Sequence, residues 1–221
     1  MKHDLRRKAH NVKTAMIDTA FLITAFVTMF VVIDPVGLAP LFVALTQGVP
    51  ERQRRRIAMR ACAIGMAILV AFAVFGEAVL GFIGISMPAF RVAGGILLFL
   101  TALDMLFERR TKRREDQTEE DHNDPSVFPL AIPLIAGPGA IASVILLTGQ
   151  KPGVEGLALV LAITALVLGV CMILFLASSL LERVLGKTGI TVVTRLLGML
   201  LAALSVQFVL EGLSNFAPLA G

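Results

Sequence analysis

The chain has 221 residues, of which 57% are hydrophobic and only 16% are charged, with a formal net charge of +4. Soluble domains contain about a quarter charged residues, so this chain lacks the polar coat of a soluble protein and is better suited to a bundle of membrane helices. The basic residues stand in short clusters without the interleaved aromatic residues of a nucleic-acid groove, which argues against a nucleic-acid partner.

Six apolar segments can be drawn in chain order, with a basic tail before the first of them. They cover about residues 17–47, 57–84, 88–107, 126–149, 154–181 and 190–214. A helix needs about 20 residues to cross the hydrocarbon core of a bilayer. The second, third, fifth and sixth segments meet that length as continuous helices, so we predict an all-α, polytopic transmembrane bundle of six spans.

The first and fourth segments are interrupted near their middles by proline and glycine. Residues 34–37 read DPVG in the first segment, and residues 137–139 read GPG in the fourth. Proline removes an amide donor and clashes with the preceding turn, so each segment should break there. Asp34 and Gly137 suit the N-cap of a new helix, and the following proline suits its first position. We therefore predict two half-helices joined by an unwound stretch in each segment.

The two motifs also belong to an internal repeat. Residues 34–39 align with residues 137–142 at an offset of 103, and residues 91–94 (RVAG) align with residues 195–198 (RLLG) at an offset of 104. Three spans are an odd number, so the second copy must enter the membrane from the opposite side. We therefore predict two inverted three-span repeats.

The repeat divides the chain into four parts. They are a basic tail at 1–15, the first repeat at 16–107, a polar cytoplasmic loop at 108–125 and the second repeat at 126–221. Most Lys and Arg residues lie in the loops after the first, third and fifth spans, which indicates a multi-pass protein of the cytoplasmic (inner) membrane with these loops inside. The basic tail contradicts this orientation, and a translation start at Met16 would remove the contradiction.

Broken helices at matching positions of inverted halves indicate a binding site near the midplane of the membrane. Helix N-termini carry partial positive charge, so they favour a carboxylate. The residues assigned to this substrate site are Asp34, Pro35, Gly37, Gly137, Pro138, Gly139, Thr101, Ser205 and Gln207. For Asp34, helix capping alone and additional contact with a cation or a substrate amine both stay open. Thr101 and Ser205 could instead bond only to their own helices.

Other ionisable residues predict a structural pair rather than chemistry. Glu77 and Arg91 flank the short turn between the second and third spans and are expected to form an ion pair. The chain shows no nucleophile–base pair, no phosphate-binding loop and no cluster with metal-ligand spacing, and Cys62 and Cys171 both lie in apolar runs. We expect neither an enzyme nor a bound cofactor or metal.

Four stretches of sequence resemble the MarC family of bacterial and archaeal inner-membrane proteins. They are DPVGLAPLF at 34–42, RVAGGILLFLTALDML at 91–106, PLAIPLIAGPGAIASVI at 129–145 and RLLGMLLAALSVQFVLEGL at 195–213. The resemblance implies six spans in the cytoplasmic membrane, and some relatives are similar to transporters of small neutral amino acids such as glycine and alanine.

The expected function is therefore secondary transport of small solutes, namely small neutral amino acids, by alternating access. The expected partners are a carboxylate-bearing or zwitterionic solute, a coupling proton or sodium ion, and membrane lipid. Two other functions stay open on the sequence: a non-transporting membrane protein associated with stress or drug resistance, and a passive channel.

Overall fold

A computed structural model describes residues 19–107 and 124–216, and these residues are almost entirely helical. The helices are α1 (19–33), α2 (Pro35–Leu45), α3 (Glu51–Ile83), α4 (Met87–Leu106), α5 (Ser126–Ile135), α6 (Pro138–Gln150), α7 (Val154–Leu176) and α8 (Ser178–Phe216). The predicted all-α membrane bundle is confirmed. The basic tail at 1–15 and nearly all of the polar loop at 108–125 lie outside the described residues.

Five stretches of helix are long and apolar enough to cross a membrane. They are Thr19–Leu45, Glu51–Ile83, Met87–Leu106, Val154–Leu176 and Thr188–Asn215. The helices α5 and α6 meet at a bend of 52°, and together they count as a sixth candidate span if the bent pair crosses the membrane rather than re-entering on one side. The predicted break in the first span is much shorter than expected, because α1 and α2 are separated by Asp34 alone.

The fourth span departs from the predicted pair of regular half-helices. Its first part, α5, is π-type rather than α-helical, and Phe128 and Ile132 within it have extended backbone angles. Both residues precede a proline, and a proline ring disfavours the α conformation of the residue before it. The expectation of a regular half-helix in this part was wrong, because Pro129 and Pro133 prevent regular α-helix in spite of the apolar character of the segment.

The two halves of the chain pack against each other in an antiparallel manner. Arg54, near the start of α3, lies 3.3 Å from Ser178, just after the end of α7. Further along both helices, the Cys62 sulfur lies 3.9 Å from the Leu168 carbonyl. The contacts therefore run in opposite chain directions along α3 and α7. Elsewhere α3 also packs on α5 and α6, α4 packs on α6 and α8, and α2 packs on α7 and α8.

Among helices α2 to α8, the most extensive contact is an antiparallel seam between α4 and α8. The buried residues on this side of α8 recur at intervals of three and four, which is one face of a helix: Gly198, Leu201, Ser205, Phe208 and Gly212. On α4, a Cβ atom added at Gly95 would stand only 2.8 Å from the Ser205 carbonyl oxygen and 2.7 Å from the nearest Val209 methyl. Small residues thus let the two backbones approach closely, as is usual between membrane helices.

The start of α3, the start of α5 and the junction of α7 with α8 lie together at one face of the bundle. We call it the basic face. Here Arg60 of α3 pairs with Asp124 at 2.9 Å, just before α5, and Arg54 reaches Ser178 at the start of α8. At the opposite face, Arg91 of α4 lies 3.9 Å from Glu211 of α8. Both faces therefore have contacts between residues 19–107 and residues 124–216.

Replacing Gly95 with Leu should destabilise the bundle, because the new side chain has no space between α4 and α8. Overpacking of this kind costs about 1–3 kcal/mol. The measurement is the thermal unfolding temperature of the purified protein in detergent. The matched control is Gly169→Leu in α7, where an added Cβ meets no atom within 4 Å. Equal unfolding temperatures for both variants would contradict the close packing of the seam.

Candidate solute site at two helix breaks

The break in the first span is made by one residue in an uncommon conformation. Asp34 has φ 55° and ψ 63°, in the left-handed region, and is only 1% exposed. Among non-glycine residues, Asp and Asn enter this region most readily, because their short side chains can bond to nearby backbone. The Oδ1 atom of Asp34 does so, accepting a hydrogen bond of 3.0 Å from the Gly37 amide. The prediction that Asp34 caps α2 is confirmed.

Most of the helical backbone bonding continues through this break. The Asp34 amide donates to the Phe30 carbonyl at 2.9 Å, and the Asp34 carbonyl accepts from the Leu38 amide at 3.0 Å. Position 37 requires glycine, because the Cβ atom of any other residue would overlap the Asp34 carboxylate. The first break is therefore compact and lies fully within the protein, as unwound backbone in a membrane must.

The break in the fourth span has a different construction. Gly137 is the N-cap of α6, with an extended backbone and no side-chain hydrogen bond, and Pro138 occupies the start of the helix as predicted. A Cβ atom at Gly137 would stand 2.5 Å from the Pro133 carbonyl oxygen, so a larger residue does not fit this turn. No acidic residue lies in the first turn of α6. The start of α6 thus lacks the carboxylate that caps α2.

The two breaks adjoin each other in the interior. A Cβ atom built on Gly139 would lie 3.2 Å from a Val32 methyl, 3.5 Å from a Leu98 methyl and 3.6 Å from the Thr101 hydroxyl. Val32 stands only two residues before Asp34. The structure therefore brings Gly139 and Thr101 together, among the residues that the sequence assigned to one site, and places the chain just before the first break next to them.

Burial varies among the residues at the breaks. Pro35 and Gly139 are buried and Gly37 and Gly137 are half-buried, whereas Pro138 is exposed. The Thr101 hydroxyl donates to the Leu97 carbonyl at 2.9 Å, so it bonds to its own helix while facing Gly139. This position is compatible both with a place for Thr101 in the substrate site and with bonding only to its own helix.

Two of the assigned residues lie on α8 in other surroundings. Ser205 is buried in the seam with α4, and its hydroxyl donates to the Ala202 carbonyl at 2.7 Å. Gln207 is exposed, and its amide donates to Glu211 at 3.0 Å. Because Gln207 follows Ser205 by two positions, it points away from the buried face of the helix. The expected role of Gln207 in the site is not supported by this position.

The expected ion pair between Glu77 and Arg91 is also wrong. Glu77 is exposed on α3, and Arg91 instead lies near Glu211, which also accepts from Gln207. The short turn between α3 and α4 does not decide the partner of Arg91, because α4 packs mainly along α8 and this brings the end of α8 next to the start of α4.

Sequence reasoning missed two polar residues in the interior. The Ser143 hydroxyl is buried one turn after Gly139 and donates to the Gly139 carbonyl at 2.8 Å. Thr28 of α1 is fully buried, and its hydroxyl has no hydrogen-bond partner among the residues that the structure describes. The spacing of four between Gly139 and Ser143 could have revealed the first, whereas Thr28 gives no local signal within its apolar run.

At the basic face, Asp124 joins α3 to the start of α5. Its Oδ1 atom accepts from the Ser126 hydroxyl at 2.6 Å and from the Ser126 amide at 3.0 Å, and its Oδ2 atom faces Arg60. The hydrogen bond from the Ser126 hydroxyl, helped by the Ser126 amide and the Arg60 guanidinium, holds the pKa of the Asp124 carboxyl below its ordinary value, although burial acts in the opposite direction. The ionised form is therefore the one that the fold stabilises.

Comparison with known proteins identifies the family. The model of the MarC family, described as integral membrane proteins, matches residues 19–217, which is most of the chain. The chain belongs to the MarC family.

Curated relatives from distant organisms agree with the MarC assignment. A UPF0056 membrane protein of Methanocaldococcus jannaschii is 37% identical over 89% of this chain and 97% of its own length. The UPF0056 membrane protein YvbG of Bacillus subtilis is 35% identical over 90% of this chain and 97% of its own length. A UPF0056 membrane protein of Aquifex aeolicus is 36% identical over 87% of this chain and 92% of its own length. These names describe membrane proteins and state no substrate, and no solved structure matches the MarC-family chain.

Substitutions of Asp34 should separate capping from charge in this MarC-family protein. Asp34→Ala loses the cap and puts a poorly suited residue in the left-handed region, which together cost about 2 kcal/mol. Asp34→Asn is the matched control, because Asn can both cap and adopt that conformation. We expect thermal unfolding in detergent to show a clear loss for Ala and little change for Asn. A loss of the same size for Asn would mean that the fold itself needs the negative charge.

The Asp124 contact should make stability depend on pH in the acidic range. A carboxyl whose pKa is lower in the folded state stabilises the fold fully above its unfolded pKa, and loses this effect as the pH falls through the folded value. Asp124→Asn should thus unfold at a lower temperature than the parent protein at neutral pH, and the difference should shrink on acidification below about pH 4. Ser126→Ala should show the same lower unfolding temperature at neutral pH and the same loss of the difference on acidification. A difference that stays constant with pH would refute the assignment.

Proposed function

We propose that this protein is a secondary transporter of small neutral amino acids that works by alternating access. The observation that carries the proposal is the close approach of the two helix breaks in the interior, where Gly139 at the start of α6 adjoins Thr101 and Val32, two residues before Asp34. Discontinuous helices of this kind form substrate and ion sites in many secondary transporters.

The two breaks differ in charge in a way that suits a zwitterion. The start of α6 has neither a capping side chain nor an acidic residue in its first turn, so its amides and helix dipole favour a carboxylate. Asp34 is a buried acidic group within a membrane span and is suited to a substrate ammonium group, a proton or a sodium ion. The surroundings of Gly139 are tightly packed, since an added Cβ atom would already lie 3.2 Å from a Val32 methyl and 3.5 Å from a Leu98 methyl, and this favours a small solute over a large one.

An inverted repeat would give the protein its two alternating states. Three features support such a repeat. The equivalent helices α3 and α7 run antiparallel, and so do α4 and α8. Packing is also reciprocal, since α3 packs on α6 as α7 packs on α2, and α4 packs on α6 as α8 packs on α2. Rocking of one half against the other would then open the shared site to each side in turn.

The proposed location is the cytoplasmic membrane, with the basic face inside. The arginines of this face stand at the start of α3, and positively charged loops remain preferentially on the cytoplasmic side during insertion. In this orientation the contacts of Arg54 and Arg60 close the cytoplasmic side, and the contact of Arg91 with Glu211 lies toward the outside.

Replacing Gly139 with Leu should abolish uptake of labelled glycine by proteoliposomes, because the new side chain would crowd Val32, Leu98 and Thr101 where the two breaks adjoin. The expected flux is that of empty liposomes, with normal membrane insertion of the variant. Gly169→Leu, on an open face of α7, should transport like the parent protein.

Glycine flux in Gly139→Leu equal to that of the parent would overturn the site. Absence of flux in the parent protein, tested with several small amino acids under proton and sodium gradients, would instead favour the non-transporting alternative. Flux without accumulation against a concentration gradient would favour a passive channel.

A further inference from the structure

A cavity of about 710 Å³ opens at the basic face, beside the first turns of α3. One side of it is polar and is formed by Arg52, Arg54 and Arg55. The other side is apolar and is formed by Phe42 near the end of α2 and by Phe175 and Leu176 at the end of α7. We call it the basic cavity. It is separate from the two helix breaks, because Phe42 stands eight residues beyond Asp34, about 12 Å along α2.

The wall between the basic cavity and the interior is well ordered. The rings of Phe42 and Phe175 stack with their centroids 4.6 Å apart and their planes 5° from parallel. The Arg54 guanidinium lies 5.6 Å from the centre of the Phe42 ring and donates to the Ser178 hydroxyl at 3.3 Å. These two contacts place the charge of Arg54 at the edge of the cavity.

The positive charges of the other two arginines are available to a ligand. Arg52 and Arg55 are exposed, and in the described part of the chain neither has an ion pair or hydrogen bond. Glu51 is the one acidic residue among the described residues that line the cavity, so the arginines are in excess. Such a cluster is suited to an anion with several oxygen atoms, such as a phosphate, which arginine can bind in a bidentate manner.

The length of α3 sets the depth of the cavity in the membrane. The helix has 33 residues and is therefore about 50 Å long, whereas the hydrocarbon core is about 30 Å thick. Its polar residues 51–56 come first, so they extend beyond the core to the level of the lipid headgroups. Leu176, on the apolar side, is 48% exposed and gives the cavity an edge toward the lipid chains.

We propose that the basic cavity binds an anionic phospholipid, with its phosphate headgroup on Arg52, Arg54 and Arg55 and its glycerol and upper acyl chain against Leu176. Basic pockets between membrane helices are known sites for such headgroups. A small soluble anion would use the arginines but would gain nothing from the apolar side. The combination of both surfaces at headgroup depth therefore favours a lipid over free phosphate.

The test uses the full-length protein in a neutral detergent and measures its thermal unfolding temperature during titration with phosphatidylglycerol. A ligand that binds the folded state raises this temperature. Phosphatidylglycerol should raise it at lower concentrations than phosphatidylcholine does. The double variant Arg52→Gln/Arg55→Gln should need about ten times more phosphatidylglycerol for the same rise, because each removed arginine weakens attraction to an anionic lipid.

The matched control is Arg56→Gln/Arg183→Gln, which removes the same charge from exposed arginines that do not line the basic cavity. It should respond to phosphatidylglycerol as the parent protein does. Equal weakening in both double variants would overturn the proposal in favour of diffuse attraction to the whole face. The same temperature rise with millimolar inorganic phosphate would overturn the lipid assignment. Should the double variant not fold, Arg52→Gln alone is measured, with Arg56→Gln as its control. Equal weakening in these two single variants, or the same temperature rise with inorganic phosphate, would again overturn the proposal.

Discussion

The structure depends on the requirement that backbone interrupted inside a membrane must have its polar groups satisfied by the protein itself. In hydrocarbon there is no water to bond to a free amide or carbonyl, and each unsatisfied group costs several kcal/mol. At the first break this requirement is met by a single residue, since Asp34 continues the backbone bonding on both sides and its carboxylate accepts from Gly37. At the second break, π-type backbone before Gly137 serves the same end.

This difference makes the two breaks chemically unequal although they occupy matching positions in the sequence. The first has a carboxylate and lacks a free first-turn amide at Gly37, whereas the second has a bare helix start. The proposed zwitterion site depends on this inequality, because two identical breaks would present two like partial charges to a solute.

Much of the fold could be predicted from the sequence because its signals are local. Hydropathy located the spans, and the proline that follows Asp34 and Gly137 located both helix starts. The irregular α5 was also encoded locally, by Pro129 and Pro133, but the apolar character of the segment concealed it. The position of Gln207 and the partner of Arg91 could not be predicted in this way. They depend on which face of α8 is buried, and that is decided by the glycines of the seam together with a helix distant in sequence.

The seam between α4 and α8 also restricts how the two halves of the chain can move. These helices belong to different halves, yet their backbones touch through Gly95, Gly198 and Gly212. Pulling them apart would leave a gap that no side chain is long enough to fill, so separation at this point is unfavourable. Rotation about the line of contact preserves most of the packing. The seam is thus suited to act as a pivot, with the largest displacements at the helices farthest from it.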